Sequence, residues 1–172
     1  MLTAYIAMGA NLPSPVGAPE TTLAAAVDQL SQMGRVGRCS SLYCTEPVGF
    51  RDQPSFVNAV LSLEVGCEPH ALLRILLEVE CNLGRDRSTS FVNGPRSLDL
   101  DLLLMDDRVM KTPELELPHP RLADRAFVLV PLAEIAPNLV HPVRQQTIAQ
   151  LLAALRDPRE SVVCMGKLPG WR

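Results

Sequence analysis

Apolar positions recur with period two in some stretches of this chain and with a period near 3.6 in others, and the two periods mark out its elements. Leu2–Met8 is β-prone and ends at Gly9-Ala10-Asn11, a turn signal. Pro13, Pro15, Gly17 and Pro19 predict a loop, after which Thr21 or Thr22 is placed to cap a helix over Leu23–Met33. Val36–Tyr43 and Phe56–Leu63 read as strands, separated by the Gly/Pro-containing loop Thr45–Ser55. Pro69 opens a second helix, with Leu72, Leu73, Leu76, Leu77 and Glu80 at helical spacing and Gly84 as its stop. Arg85–Arg96 reads as a long polar loop, and Ser97–Met105 as the best strand in the chain. Val109 and Leu115–Leu117 suggest short strands, Arg121–Ala136 short helical turns, and Thr147–Leu155 a final helix.

The leading order of strand, helix, strand, strand, helix, strand predicts an α+β fold with a ferredoxin-like core. An antiparallel sheet would carry helices on both faces, a three-layer αβα sandwich. With 172 residues, 47% apolar and no low-complexity tract, residues 1–172 are expected to form one domain. A net charge of -3 argues against a nucleic-acid coat. Lys111 and Lys167 are the only lysines among 16 basic residues, and neither lies in a motif, which disfavours Schiff-base and P-loop chemistry. The five cysteines, Cys39, Cys44, Cys67, Cys81 and Cys164, are scattered with no C-x-x-C. They suit reduced thiols better than a disulfide frame or zinc site. The N-terminus lacks the pattern of a signal peptide, and no apolar run approaches the ~20 residues of a membrane span. A cytoplasmic protein without membrane partners is the expectation.

The chemistry concentrates at Leu98-Asp99-Leu100-Asp101-Leu102. In a strand the leucines face the core, and Asp99 and Asp101 share the other face about 7 Å apart. Two carboxylates so placed repel each other unless a cation sits between them, and they suit Mg²⁺ with water and phosphate completing its shell. The bland alternative makes them solvated gatekeepers on an edge strand. Arg96 immediately precedes the strand, and Arg85 and Arg87 stand on the loop before it. Carboxylates for metal and arginines for phosphate oxygens are the parts of phosphoryl-transfer catalysis.

The segment Asn93-Gly-Pro-Arg-Ser-Leu-Asp-Leu-Asp-Leu-Leu103 closely resembles the signature of the 6-hydroxymethyl-7,8-dihydropterin pyrophosphokinases of folate biosynthesis. Further similar stretches run in order: Ala4–Leu12, Tyr43–Gly49, Asp52–Asn58, Leu117–Arg121, Arg125–Phe127 and Pro131–Pro137. The resemblance implies transfer of pyrophosphate from ATP to the pterin alcohol, with two Mg²⁺ held by Asp99 and Asp101. It implies ATP phosphate contacts from Arg85, Arg96, His119 and Arg125, with Glu80 near the ribose and the Leu102 backbone near adenine. Arg85 and Arg96 would join the aspartates as catalytic residues. The pterin would stack between Phe56 and Phe127, its polar edge met by Thr45, Val48 and Asn58, with Gln53 near the hydroxymethyl end. Small-molecule substrates and a monomer are expected.

The residues support part of this directly. Phe56 and Asn58 are two apart in a strand, so ring and amide point to one side, as a flat hydrogen-bonding heterocycle needs. His119 between two prolines reads by itself as a loop histidine held by backbone contacts, and the resemblance implies phosphate hydrogen bonding and not proton abstraction. Asn93 replaces a tryptophan found in some members, with Phe91 the nearest aromatic, and Glu114 stands where some relatives have arginine. Two rivals remain open: another two-metal enzyme, such as a nucleotidyltransferase or nuclease, and a non-catalytic binding module.

Overall fold

The computed structural model describes residues 1–86, 88, 93–155 and 162–171. In chain order it contains β1 (Leu2–Ala10), α1 (Pro19–Ser31), β2 (Arg35–Cys39), β3 (Leu42–Thr45), β4 (Phe56–Val65), α2 (Pro69–Asn82) and β5 (Asp99–Met105). There follow β6 (Met110–Lys111), β7 (Glu116–Leu117), a 3₁₀ turn (Leu122–Asp124), α3 (Ala126–Ile135), α4 (Ile148–Ala154) and β8 (Val162–Gly166). β1 and β4 form the antiparallel centre of the main sheet, in register from Leu2 opposite Val65 to Ala10 opposite Val57. β5 pairs with the outer side of β1, while β3 and then β8 extend the sheet beyond β4, and β2 also pairs β4. All of these pairings are antiparallel, as the element order predicted.

Alternate residues of the central strands feed two apolar clusters. Ala4, Ile6 and Met8 of β1 and Leu61 and Leu63 of β4 pack with Leu23, Val27 and Leu30 of α1 and Leu72 and Leu76 of α2. Val60, with Tyr5 and Ala7 beside it, packs instead with Val128, Leu129 and Leu132 of α3 and Ile148 and Leu151 of α4. Each such aliphatic side chain removed from water contributes about 1.5–3 kcal/mol, so the sheet is fixed from two sides.

Several elements depart from the pattern. The first helix starts at Pro19, four residues early, with Ala18 as a cap that makes no side-chain bond. Thr22 does not cap: it is buried, and its hydroxyl bonds Ala18 O and Ser14 Oγ. The predicted single strand Val36–Tyr43 is two, because Ser40 Oγ accepts the Val60 N–H and donates to Ser41 O in place of regular pairing. The region read as short turns holds the ten-residue α3, which runs through Pro131. A proline there removes one backbone donor, yet the helix is apolar enough to be held by packing. The final helix is opened by Thr147 in a capping box with Gln150. β8 carried no expectation at all.

β5 is the edge strand that matters most. Tyr5 faces Leu104 and Ile6 faces Leu102, so Leu103 is an extra residue in the ladder. This bulge sends Leu103 and Leu104 both into the α3/α4 cluster, and the Leu103 carbonyl accepts the His119 N–H at 2.8 Å. A one-residue irregularity in the strand thereby anchors the segment that begins α3's approach to the cleft.

Candidate active site

Leu98, Leu100 and Leu102 are at most 4% exposed, and they fix the back of β5 against α1 and α2. The alternation then obliges Asp99 and Asp101 to face the other way, opposite Gly9 and Ala7 of β1. Glycine and alanine leave space in front of the carboxylates, and a cleft opens there.

The two aspartates sit in different electrostatic company. Asp99 accepts Arg85 Nη1 on Oδ1 at 2.5 Å and Arg96 Nη1 on Oδ2 at 3.0 Å. Arg85 also donates to Glu80 Oε1 at 2.8 Å. Glu80, 1% exposed, takes the Leu100 N–H on the same oxygen at 2.8 Å, tying α2 to the start of β5. The Nε atoms of Arg85 and Arg96 are buried without a partner among the described residues, so both forks retain a donor. Asp101 accepts no hydrogen bond from the described residues. Burial first, and then the Asp99 charge, push its pKa up to about 6, against the pull of Arg125 and Arg96. Among the described residues no group of three or more His, Cys, Asp or Glu is placed to enclose a metal ion. Two adjacent carboxylates alone fit a hard divalent cation that takes the rest of its shell from water and phosphate.

The neighbouring half of the cleft is neutral. Gly9 faces Asn58 on β4, and a Cβ at Gly9 would lie 2.9 Å from Asn58 Oδ1. Asn58 Nδ2 donates to Thr45 Oγ1 at 2.6 Å, which fixes both amide and hydroxyl in a buried row. Phe56 and Phe127 also line the cleft, with Val48 and Glu46 towards its rim. Each ring lies under an arginine: Arg96 Cζ is 5.3 Å from the Phe56 centroid, and Arg125 Cζ 5.2 Å from that of Phe127. These cation–π contacts join the charged half to the neutral one.

Of the residues singled out from sequence, Thr45, Val48, Phe56, Asn58, Arg96, Asp99, Asp101, Arg125 and Phe127 converge on this one cleft. Arg85 stands behind Asp99, and Glu80 lies inside the protein. Leu102 turns its side chain to the core, but β5 pairs with β1 on one side only. The outward Leu100 N–H, taken by Glu80, shows which backbone register points away from the sheet, and Leu102 shares it. His119 has its pKa lowered to about 4 by burial, then by Arg125 and Arg121. Its Nδ1 accepts the Arg121 N–H at 3.2 Å, so the neutral ring carries its proton on Nε2 and offers a donor. Gln53 is not among the lining residues. Its Nε2 donates to Phe50 O at 2.6 Å and Asn93 O at 2.7 Å, and its Oε1 accepts from Asn11, so it ties loops together. Arg87 and Phe91 lie outside the described residues.

Two residues were missed. Asn11, 4% exposed, gives Nδ2 to Gln53 Oε1 and Pro54 O and takes the Arg96 N–H on Oδ1 at 2.8 Å. A buried asparagine ending a strand was the available signal. Arg121 lines the cleft beside Arg125, although no role was given to it.

With this geometry established, likeness to known proteins can be set beside it. Residues 5–137 match the family model described as 7,8-dihydro-6-hydroxymethylpterin-pyrophosphokinase. The 2-amino-4-hydroxy-6-hydroxymethyldihydropteridine pyrophosphokinase of Haemophilus influenzae is 41% identical over 157 residues, 91% of this chain and 95% of its own. That of Pseudomonas aeruginosa is 39% identical over 168 residues, 96% of each chain. The crystal structure of wild-type Plasmodium falciparum HPPK-DHPS superposes with a TM-score of 0.66 at 13% identity, over 88% of this chain. This chain spans 44% of that longer one, and at such identity the likeness concerns the fold alone. The family match and the near full-length relatives settle the affiliation: the chain belongs to the 7,8-dihydro-6-hydroxymethylpterin-pyrophosphokinase family.

Proposed function

We propose that this cleft carries out the family's reaction, transfer of pyrophosphate from ATP to 6-hydroxymethyl-7,8-dihydropterin in folate biosynthesis, giving AMP and the pterin diphosphate. One observation carries the residue-level reading. Asp99 and Asp101 face a space bounded on one side by arginines and on the other by Phe56, Phe127 and the Asn58–Thr45 pair. The neutral side suits a flat heterocycle: two rings for its faces, an amide and a hydroxyl for its edge. The charged side suits a polyphosphate.

In this reading two Mg²⁺, held by Asp99 and Asp101, would supply charge neutralisation and alignment of the phosphates. Arg85 and Arg96 exchange part of their contact with Asp99 for phosphate oxygens, using the Nε donors that are unsatisfied without ligand. His119 Nε2–H and Arg125 add donors from the α3 side, and His119 acts as a hydrogen-bond donor because its neutral form prevails at pH 7. The pterin hydroxyl then attacks the β-phosphorus and AMP leaves, with orientation supplied by the ring stack and the Asn58 edge. Adenine lies along the free edge of β5 near the Leu102 backbone. Glu80 contributes by holding Arg85 and the Leu100 N–H, and reaches the ribose only if its burial is relieved. Gln53 acts through the loop it ties. The frame is a ferredoxin-like αβα sandwich acting as a single-domain monomer in the cytoplasm, a setting that its five free thiols suit.

Incubation with ATP, magnesium and 6-hydroxymethyl-7,8-dihydropterin, followed by nucleotide separation, tests the reaction. AMP should form in equal amount with the pterin diphosphate. ADP as the main pterin-dependent nucleotide would overturn the assignment.

A further inference from the structure

The cations of the cleft differ in what they already hold. Arg85 and Arg96 are bound to Asp99, and Arg85 also to Glu80. Arg125 lies over Phe127. Arg121 is exposed, lines the same cleft as Asp99 and Asp101, and among the described residues no carboxylate or ring engages its guanidinium. Its backbone, by contrast, is pinned. Its N–H donates to His119 Nδ1, its carbonyl accepts from Asp124 N at 3.3 Å, and the adjoining Leu122 is fully buried. A rigid backbone presenting an uncommitted planar fork at a cleft wall is arranged to meet an anion that arrives from solution. The surroundings give that anion's character. Arg125 and Arg121 both disfavour a charge on His119, and Asp99 offsets them only in part, so this corner gathers positive potential.

We infer that Arg121 is a further binding residue for the polyphosphate chain of ATP. The inference rests on the reading of the cleft given above. Arg121 contacts phosphate and not the adenosine part, so it discriminates nucleotides by phosphate number.

The test compares wild-type protein with Arg121→Ala and Arg121→Lys, using calorimetry with magnesium and either α,β-methylene-ATP or AMP. Arg121→Ala should bind the triphosphate analogue about tenfold more weakly, a loss of ~1.4 kcal/mol, and AMP within about twofold of wild type. Arg121→Lys should recover part of the loss. The dependence of triphosphate affinity on salt should be shallower in Arg121→Ala. Thermal unfolding should be unchanged, because the side chain supports nothing in the free protein. Equal weakening for AMP and the triphosphate, or no weakening of either, overturns the role of Arg121 and leaves the cleft assignment standing. A wild-type protein that fails to bind the triphosphate analogue overturns both.

Discussion

The two halves of the cleft are built on strands that flank β1 on opposite sides, and they are stabilised by opposite means. The neutral half, on β3, β4 and α3, is satisfied in itself: Asn58 bonds Thr45, and Phe56 and Phe127 rest under arginines. The charged half, on β5 and its preceding loop, is held by ion pairs whose members have further work. Asp99 is shared by two arginines that keep unpaired Nε donors, and Asp101 has no hydrogen-bonding partner among the described residues. A half that is complete without ligand can select a shape. A half left incomplete costs native stability, and in the proposed reading ions and phosphates complete it, the usual conflict between a stable site and an active one.

The largest effects should come from breaking the charged half. Asp99→Asn and Asp101→Asn should each lower turnover by about three powers of ten or more, because metal charge stabilisation is worth several kcal/mol. Steady-state rates in magnesium check this, and near-normal turnover in either variant removes that residue from the metal site.

Stability should separate the same two variants in sign. Asp99→Asn strips Arg85 and Arg96 of a charged partner and should cost roughly 2 kcal/mol, less than a fully buried pair would. Asp101→Asn should stabilise the metal-free protein by roughly 1–2 kcal/mol, because a folded-state pKa of about 6, raised from 3.8, penalises the ionised form. A raised pKa favours folding below the unfolded value and loses that contribution as pH rises through the folded one. The Asp101→Asn gain should therefore be full above about pH 6 and shrink towards zero near pH 4. Urea titrations at pH 7.5 and pH 4.5 without metal would show it. Equal destabilisation of both variants would contradict the contrast drawn between the two aspartates.

In the neutral half, Phe127→Ala should weaken pterin binding by roughly 1–3 kcal/mol. ATP should lose under about 1 kcal/mol, through the Arg125 contact alone. Calorimetry that finds equal losses would make Phe127 a general packing residue. The smallest effect is expected from Gly9→Ala. Its methyl would press on Asn58 Oδ1 from 2.9 Å. Pterin affinity should fall about fivefold, or ~1 kcal/mol, with ATP affinity and stability little changed. An unaltered pterin affinity would mean that the Asn58 amide does not meet the ring.

The unequal legibility of these parts has physical causes. Strict alternation at Leu98–Leu102 leaves no choice of face, so β5, its buried leucines and its outward-facing carboxylates could be read directly. The same holds for α2, where Pro69 starts a period that Gly84 stops in the left-handed region at φ 87°. α3 was hidden by Pro131, since local rules count the lost donor and not the packing that outweighs it. β8 was hidden because a short exposed strand exists only through its partner β3. Gln53's bonds to Asn11, Phe50 and Asn93 could not be read, because a motif carries residue identity but not hydrogen bonds between distant loops.

By itself, then, the sequence determined the alternation that puts two carboxylates on one face, the aromatic and amide two apart on β4, and the arginine supply near both. These depend on spacing along one element, which backbone geometry translates without reference to anything else. Only the tertiary structure decided which arginine holds which acid, that Glu80 is buried beneath Arg85, that Asn11 and Gln53 lock the loops around Arg96, and that no carboxylate or ring among the described residues engages the Arg121 guanidinium. Those facts depend on contacts between residues up to 85 positions apart, as Arg96 and Asn11 are. Such pairings arise when strands and helices bury their apolar faces together, and no local period encodes them.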